Sequence, residues 1–328
     1  MEIKSSAVDF FKNLLAPDAS DLTEMDPDLI QPLGPLVQLE ALADPPDAEE
    51  VKRAVFDISG DSTPGPDGFS ATFYQACWTI VGMDVTAAVQ QFFNGAFLPR
   101  SITATSIALI PKKALPETWA DYRPISLCNV INKIITKILT ARISPILPLV
   151  ISPNQSGFVK GRLLNDNALL AQEMFHDLHK GSPAPNVAIK IDMAKAYDRV
   201  QWPFLLQVFR RMGFPEDWIS LIDRCIGSCW FSVLINGAPS GFFKSTRGLR
   251  QGDPISPALF VIAAEYLSKA LDKLILGKRE MTFTVARSGL KINHLAYADD
   301  IIIFTQAATP SLRQLRACIN EYEAVSRQ

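Results

Sequence analysis

Three aspartates carry the chemistry this sequence could do. Asp299 and Asp300 stand side by side in HLAYADDIIIFT, residues 294–305, between two apolar runs rich in strand formers. Asp192 closes another such run, NVAIKIDM over 186–193. If Asp299 and Asp300 tip a hairpin that neighbours the strand of Asp192, three carboxylates meet at one sheet edge. Without a cation they repel until one takes up a proton. Divalent metal removes the difficulty, because two Mg²⁺ ions about 3.5–4 Å apart share oxygen ligands and clamp the attacking and leaving oxygens of a phosphoryl transfer. Taken alone, Tyr-Ala-Asp-Asp is better explained as a turn, which Asp-Asp favours.

Other candidates are weaker. His176 and His179 have helical spacing but no third ligand, so exposed helix residues are the simpler reading. His294 reads as structural. The five cysteines are odd in number and scattered, which argues against a disulfide framework and for a reducing compartment. Cys225 and Cys229 read as core thiols. The 328 residues carry a net charge of −2, which does not advertise a polyanion binder, but the distribution is uneven. Residues 1–70 are acidic, whereas Lys112, Lys113, Arg123, Lys133, Lys137, Arg142, Lys160 and Arg162 face only Glu117 and Asp121. That stretch suits a nucleic-acid contact, and equally a solvated face.

The elements that must position these groups follow from periodicity and turn chemistry. Helices are expected over 5–15, 47–58, 71–94, 130–147, 167–180, 200–212, 217–228, 257–276 and 311–326. Residues 18–46 read as a proline-broken linker or docking arm, and GDSTPGPDGFS at 60–70 as turns. SIALIPKK and 186–193 read as strands, YRPIS as a loop, and SPNQSGFVKGR at 152–162 as another loop. Asn236-Gly237 marks a two-residue hairpin within 230–248, and 290–305 forms a second hairpin. A largely helical first half and a mixed second half imply an α+β protein with two subdomains. No apolar run approaches the roughly 20 residues that cross a bilayer, and the polar start is no signal peptide, so a cytoplasmic or nuclear, non-secreted protein without membrane contact is expected.

Several motifs together add a family resemblance. IKIDMAKAYDRVQW, GLRQGDPISPALF and HLAYADDIIIF, in this order, resemble three core motifs of reverse transcriptases. YRPISLCNVINKIITKIL and NQSGFVKGRLLNDN are similar to the preceding fingers motifs of the non-LTR retrotransposon branch, and STPGPDGFS to the segment that opens its polymerase region. The wording DMAKAYDRVQW is particularly like plant retroelements. The resemblance implies a right-hand polymerase fold, with an extension over 1–60, fingers over 61–185 and palm over 186–328. It implies RNA-directed DNA polymerisation on an RNA template, from a DNA primer and dNTPs, with two Mg²⁺ ions (Mn²⁺ as a substitute). Asp192, Asp299 and the backbone carbonyl of Met193 are implied as metal ligands, with Asp300 completing the acidic edge. Tyr197 matches an aromatic steric gate, which leaves no room for a 2′-hydroxyl. Asp198 needs no more than a helix-capping role. Lys112 and Arg123 match positions that hold the triphosphate, and Gln251-Gly252 positions at the incoming nucleotide or template. Gln155, Gly157, Lys160, Gly161 and Arg162 resemble a template-contacting loop.

Family members continue past the final helix into a primer grip and thumb and carry an endonuclease upstream. This chain ends at YEAVSRQ, so a thumb-less, endonuclease-less polymerase domain is expected. Two rivals stay open: a retroelement remnant or domesticated module that holds RNA without extending a primer, and a group II intron maturase-like protein. Intact aspartates count against decay and the missing thumb counts for it, while SPNQSGFVKGR and DMAKAYDRV fit retroelements better than maturases.

Overall fold

The computed structural model describes residues 2–17, 23–34, 39–179, 184–275, 278, 281–283 and 292–328. Helix α1 (Glu2–Leu15) opens the chain and leads to an arm whose described residues include a 3₁₀ turn, Glu40–Ala43. The described part of the arm is docked, because Met25, Leu29, Ile30, Leu39 and Leu42 all join the main core. Helix α2 (Ala48–Phe56) starts where Asp47 accepts the Glu50 N–H at 2.7 Å. The single helix expected over 71–94 is two, α3 (Ala71–Ala76) and α4 (Trp78–Phe93). The chain leaves helical geometry at Cys77, and the Trp78 ring lies edge-on to Phe56 at 6.3 Å. After the short α5 (Arg100–Thr103) comes β1 (Ala104–Pro111).

The YRPIS segment is not a loop. It is β2 (Tyr122–Cys128), antiparallel to β1 with Pro124 opposite Leu109. Proline has no N–H for a ladder, and β2 tolerates it because it is the edge of its sheet. Helix α6 (Val130–Ile143) ends before Pro145, shorter than expected, and α7 (Leu147–Val150) is a separate turn. Helix α8 (Leu164–His176) starts three residues ahead of expectation, and the predicted end at Lys180 lies outside the described residues.

The second half follows the expected order: β3 (Asn186–Asp192), α9 (Ala196–Arg199), α10 (Trp202–Met212), α11 (Glu216–Gly227), β4 (Trp230–Ile235), β5 (Ala238–Lys244), α12 (Ser256–Ile275), β6 (His294–Tyr297), β7 (Asp300–Gln306) and α13 (Thr309–Ser326). The expected ends at residue 276 and the hairpin start at 290–291 lie outside the described residues. Asn236 and Gly237 both take positive φ, 51° and 77°, as a two-residue hairpin turn requires.

Among the described residues, two sheets organise the α+β fold. One runs β2-β1-β4-β5, with β1 and β4 parallel; the other runs β3-β7-β6, antiparallel throughout. The first draws strands from both sides of residue 185, so that position divides the sequence without dividing this sheet. Phe11 and Leu15 of α1 pack with Ile107, Phe231, Val233 and Phe243 to cover that sheet. On the other sheet, Leu295 and Phe304 meet Met174 of α8 and Phe283. The main core is separate from these two clusters, and in it α10, α11 and α12 bury Phe209, Trp218 and Phe260 at 1% exposure or less.

Candidate active site

Asp192 ends β3 and is the direct Cα partner of Asp300, the first residue of β7. Opposed residues of antiparallel strands share a sheet face, so the two carboxylates leave the same side of the sheet end. Asp299 sits in the turn between β6 and β7, just after Ala298 at φ +56°. The remote acids therefore do meet at one edge, and there the side chains part company. Asp192 and Asp299 line one cavity of about 570 Å³, together with Met193. Asp300 is not among its lining residues; its Oδ1 receives the Lys190 ammonium at 2.7 Å. That hydrogen bond, then the fields of Asp300, Asp192 and Asp299, raise the lysine pKa. Among the described residues no group of three or more His, Cys, Asp or Glu could hold a metal on its own. The expected three-carboxylate convergence is thus two carboxylates on the cavity and a third neutralised by lysine. Two carboxylates and a nearby backbone carbonyl remain a fitting donor set for magnesium, which keeps several waters and takes other ligands from substrate phosphates.

Cations line the same cavity. Lys112 follows β1 and Arg123 lies at the start of β2, both exposed. Lys195, which sequence reasoning missed, is a third. It takes a left-handed φ of +57°, and its ammonium donates to Ala120 O and Tyr122 O at 3.3 and 3.4 Å. Burial, then the Lys112 charge, lowers its pKa. Three cations sharing the cavity with Asp192 and Asp299 suit a triphosphate carried with divalent metal.

Tyr197 also lines the cavity, its ring stacked on Phe260 at 4.8 Å and 12°. Burial, then Asp299, raises its pKa. Asp198 does not cap a helix as expected. It is buried, and its Oδ1 accepts Gln251 Nε2 at 2.8 Å, while burial pushes its pKa up to about 6. The pairing is built by backbone: Leu249 N–H donates to Tyr197 O and Gly248 N–H to Val200 O, each at 2.8 Å. Gln251 is fixed from its other side by Ser126 N–H, which donates to Gln251 O at 2.8 Å. Gly252, at φ +104°, adopts a conformation that favours glycine, and it lies beside the cavity lining rather than in it.

At least half of the basic stretch is spent on the protein's own groups. Lys133 donates to Ser62 Oγ and Thr63 O, Lys137 to Asp57 O, and Arg142 holds Glu50 while donating to Leu42 O and Asp44 O. Arg162 donates to the carbonyls of Ser152, Gln155, Pro148 and Ile151, and Gln155 is buried against Ala298. Of the expected template loop, Lys160 and Gly161 are exposed, Gly157 is buried and Arg162 half-buried. His294 is buried with Nε2 3.0 Å from Ser268 Oγ, as its structural reading expects.

The family profile described as reverse transcriptase (RNA-dependent DNA polymerase) matches residues 110–327, which hold every cavity residue named above. The chain belongs to the reverse transcriptase family. Its mixed α+β architecture is consistent with the fingers and palm of that family. The reverse transcriptase domain is 28% identical to the transposon TX1 149 kDa protein of Xenopus laevis, over 99% of this chain and 24% of that protein. It is 26% identical to the R2DM retrotransposable element polyprotein of Drosophila melanogaster, over 76% of this chain and 22% of the polyprotein. It is also 45% identical, over 23% of its length, to 62% of the mitochondrial protein AtMg01250 of Arabidopsis thaliana. The first two relatives are a transposon protein and a retrotransposable-element polyprotein, and the domain spans about a quarter of the length of each.

Proposed function

We propose that this reverse transcriptase domain extends a DNA primer on an RNA template, joining the primer 3′-oxygen to the α-phosphorus of a dNTP while the bond to pyrophosphate breaks. The observation that carries this reading is the placement of Asp192 and Asp299 on one cavity with Lys112 and Arg123. Asp192, Asp299 and the Met193 carbonyl would hold two Mg²⁺ ions, with Mn²⁺ able to replace them. When bound, these lower the pKa of the 3′-hydroxyl and neutralise charge that builds on the triphosphate. Lys112, Arg123 and Lys195 grip the phosphates, the Tyr197 ring supports the deoxyribose, and Gln251 with Gly252 faces the new base pair. Asp300, paired with Lys190, closes the sheet edge beside the two acids without joining the cavity. Lys160 and Gly161 offer charge and close backbone approach to template phosphates.

The fingers comprise 61–185, and the sheet pairing of β1 with β4 supports adding β4 and β5 to them; the rest of 186–328 is palm. The identity to the Arabidopsis protein supports a plant origin, and a nuclear or cytoplasmic location belongs to the same proposal. Primer extension with Mg²⁺ tests the reading. Asp299→Ala and Asp192→Ala should each lower dNTP incorporation by ~10³-fold, the scale of several kcal/mol of lost charge stabilisation. Equal incorporation by native and variant chains sinks it.

A further inference from the structure

The segment expected to touch template is, in the fold, bound to the turn that carries Asp299. Residues 154–156 lie along the open side of β6, since Ala296 N–H donates to Asn154 O at 2.9 Å and Ser156 N–H to Ala296 O at 3.0 Å. Gln155 pairs with Ala296 in a parallel bridge, and β6 is otherwise the edge of its sheet. Asn167 ties the same place, its amide donating to both Asn154 O and Ala296 O.

The Gln155 side chain does more than add an edge. Its Oε1 accepts the Ala298 N–H at 2.9 Å and the Gly157 N–H at 2.7 Å, and its Nε2 donates to Ala298 O at 3.1 Å. One amide therefore satisfies both backbone polar groups of Ala298. That residue takes the left-handed conformation that an alanine adopts only when its surroundings enforce it. Gln155 is only 3% exposed, so little of it is left for an RNA strand. Gly157 completes the fit, because a Cβ there would fall 2.5 Å from Ala298 N. The brace has a foundation: Glu265 of α12, 1% exposed, accepts Ser152 N–H at 2.9 Å and Ser152 Oγ–H at 2.5 Å. The four carbonyls gathered by Arg162 close the loop upon itself.

We propose that Gln155 is a positioning residue for Asp299: it holds Ala298 left-handed and so aims the next residue's carboxylate into the cavity. A continuous set of bonds runs from Glu265 through Ser152 and Gln155 to the turn. This inference rests on the polymerase reading for its effect on rate, but the brace itself is measurable without activity.

The test compares the full chain with Gln155→Ala and Gln155→Glu. Hydrogen exchange over 294–300 reads the brace directly. The alanine variant should exchange at Ala298 about tenfold faster or more. The glutamate variant keeps the acceptor for two N–H groups and loses only the donor, so it should fall between. In primer extension, Gln155→Ala should lower kcat on the order of 10²-fold, as for a catalytic group displaced by about 1 Å. Affinity for a primer–template duplex, measured by fluorescence anisotropy, should stay within about threefold, since the side chain makes no phosphate contact. Unchanged exchange at Ala298 in the alanine variant overturns the proposal whatever the activity, as does a glutamate variant no better protected than alanine. An unchanged kcat with binding weakened tenfold also overturns it, in favour of a template contact. If the native chain extends no primer while the exchange results hold, the polymerase reading fails and the brace stands. Should Gln155→Ala not fold, the glutamate variant carries the test alone: protection equal to native at Ala298 then sinks the proposal.

Discussion

Tyr197 and Asp198 are neighbours with opposite fates. Tyr197 has its ring flat on Phe260 and lines the same cavity as Asp299, so removing it enlarges that cavity without removing an acid. Tyr197→Ala should raise ribonucleotide use relative to deoxyribonucleotide use by at least about tenfold, the scale of a steric term of 1–3 kcal/mol. An unchanged ratio in competitive single-nucleotide incorporation would remove the gate. Asp198 instead stores a pH dependence. Its folded pKa, near 6, lies above the ordinary 3.8 because burial penalises the charge. The folded state thus binds the extra proton between those values, and stability falls as pH rises from about 4 to about 6, by on the order of 3 kcal/mol. Asp198→Asn keeps an acceptor for Gln251 and should flatten this slope in urea unfolding from pH 4 to 7; parallel native and variant curves would refute it. Among single residues, the acids were legible because their spacing and company are unusual. The destinations of Lys133, Arg142 and Arg162 were not, since they depend on which backbone carbonyls the tertiary fold leaves unpaired.

At the scale of elements, sequence served best where local chemistry leaves one solution. Asn236-Gly237 demands two positive φ angles and gets them, and helix α10 stops at Gly213 with φ +84°. The strand of Asp192 was legible from its apolar run, and so was its meeting with the Asp299 hairpin once both were taken as one sheet. The failures share a cause in tertiary context. Pro124 argues against a strand only if the strand is central, and sequence does not say that β2 is an edge. The helix over 71–94 shows helical periodicity on both sides of Cys77, so the break leaves no mark in the pattern. The loop over 152–162 carries turn residues and charges, and nothing local reveals that its glutamine faces inward to the turn that carries Asp299. Lys190 had a visible signal: two places before Asp192 on a strand, it must share that residue's face.

For the molecule as a whole, α1 covers the four-stranded sheet as a lid on its core. Phe11 is fully buried among Ile107, Phe231 and Val233, and Val8 presses so close to Gly241 that an added Cβ would sit 2.6 Å from it. Phe11→Ala should therefore lower unfolding free energy by about 3–5 kcal/mol in urea titrations, while leaving the Asp192 strand untouched. A loss under about 1 kcal/mol would mean that the helix is an ornament. The strand pairings also order events at the ribosome. Each sheet joins segments far apart in the chain, β1 to β4 and β3 to β7. A nascent polypeptide carrying Asp192 must hold that strand unpaired until Asp300 has left the exit tunnel, so the acidic edge forms only as translation of these residues ends, and any message cut short before β7 yields a protein with no partner for it.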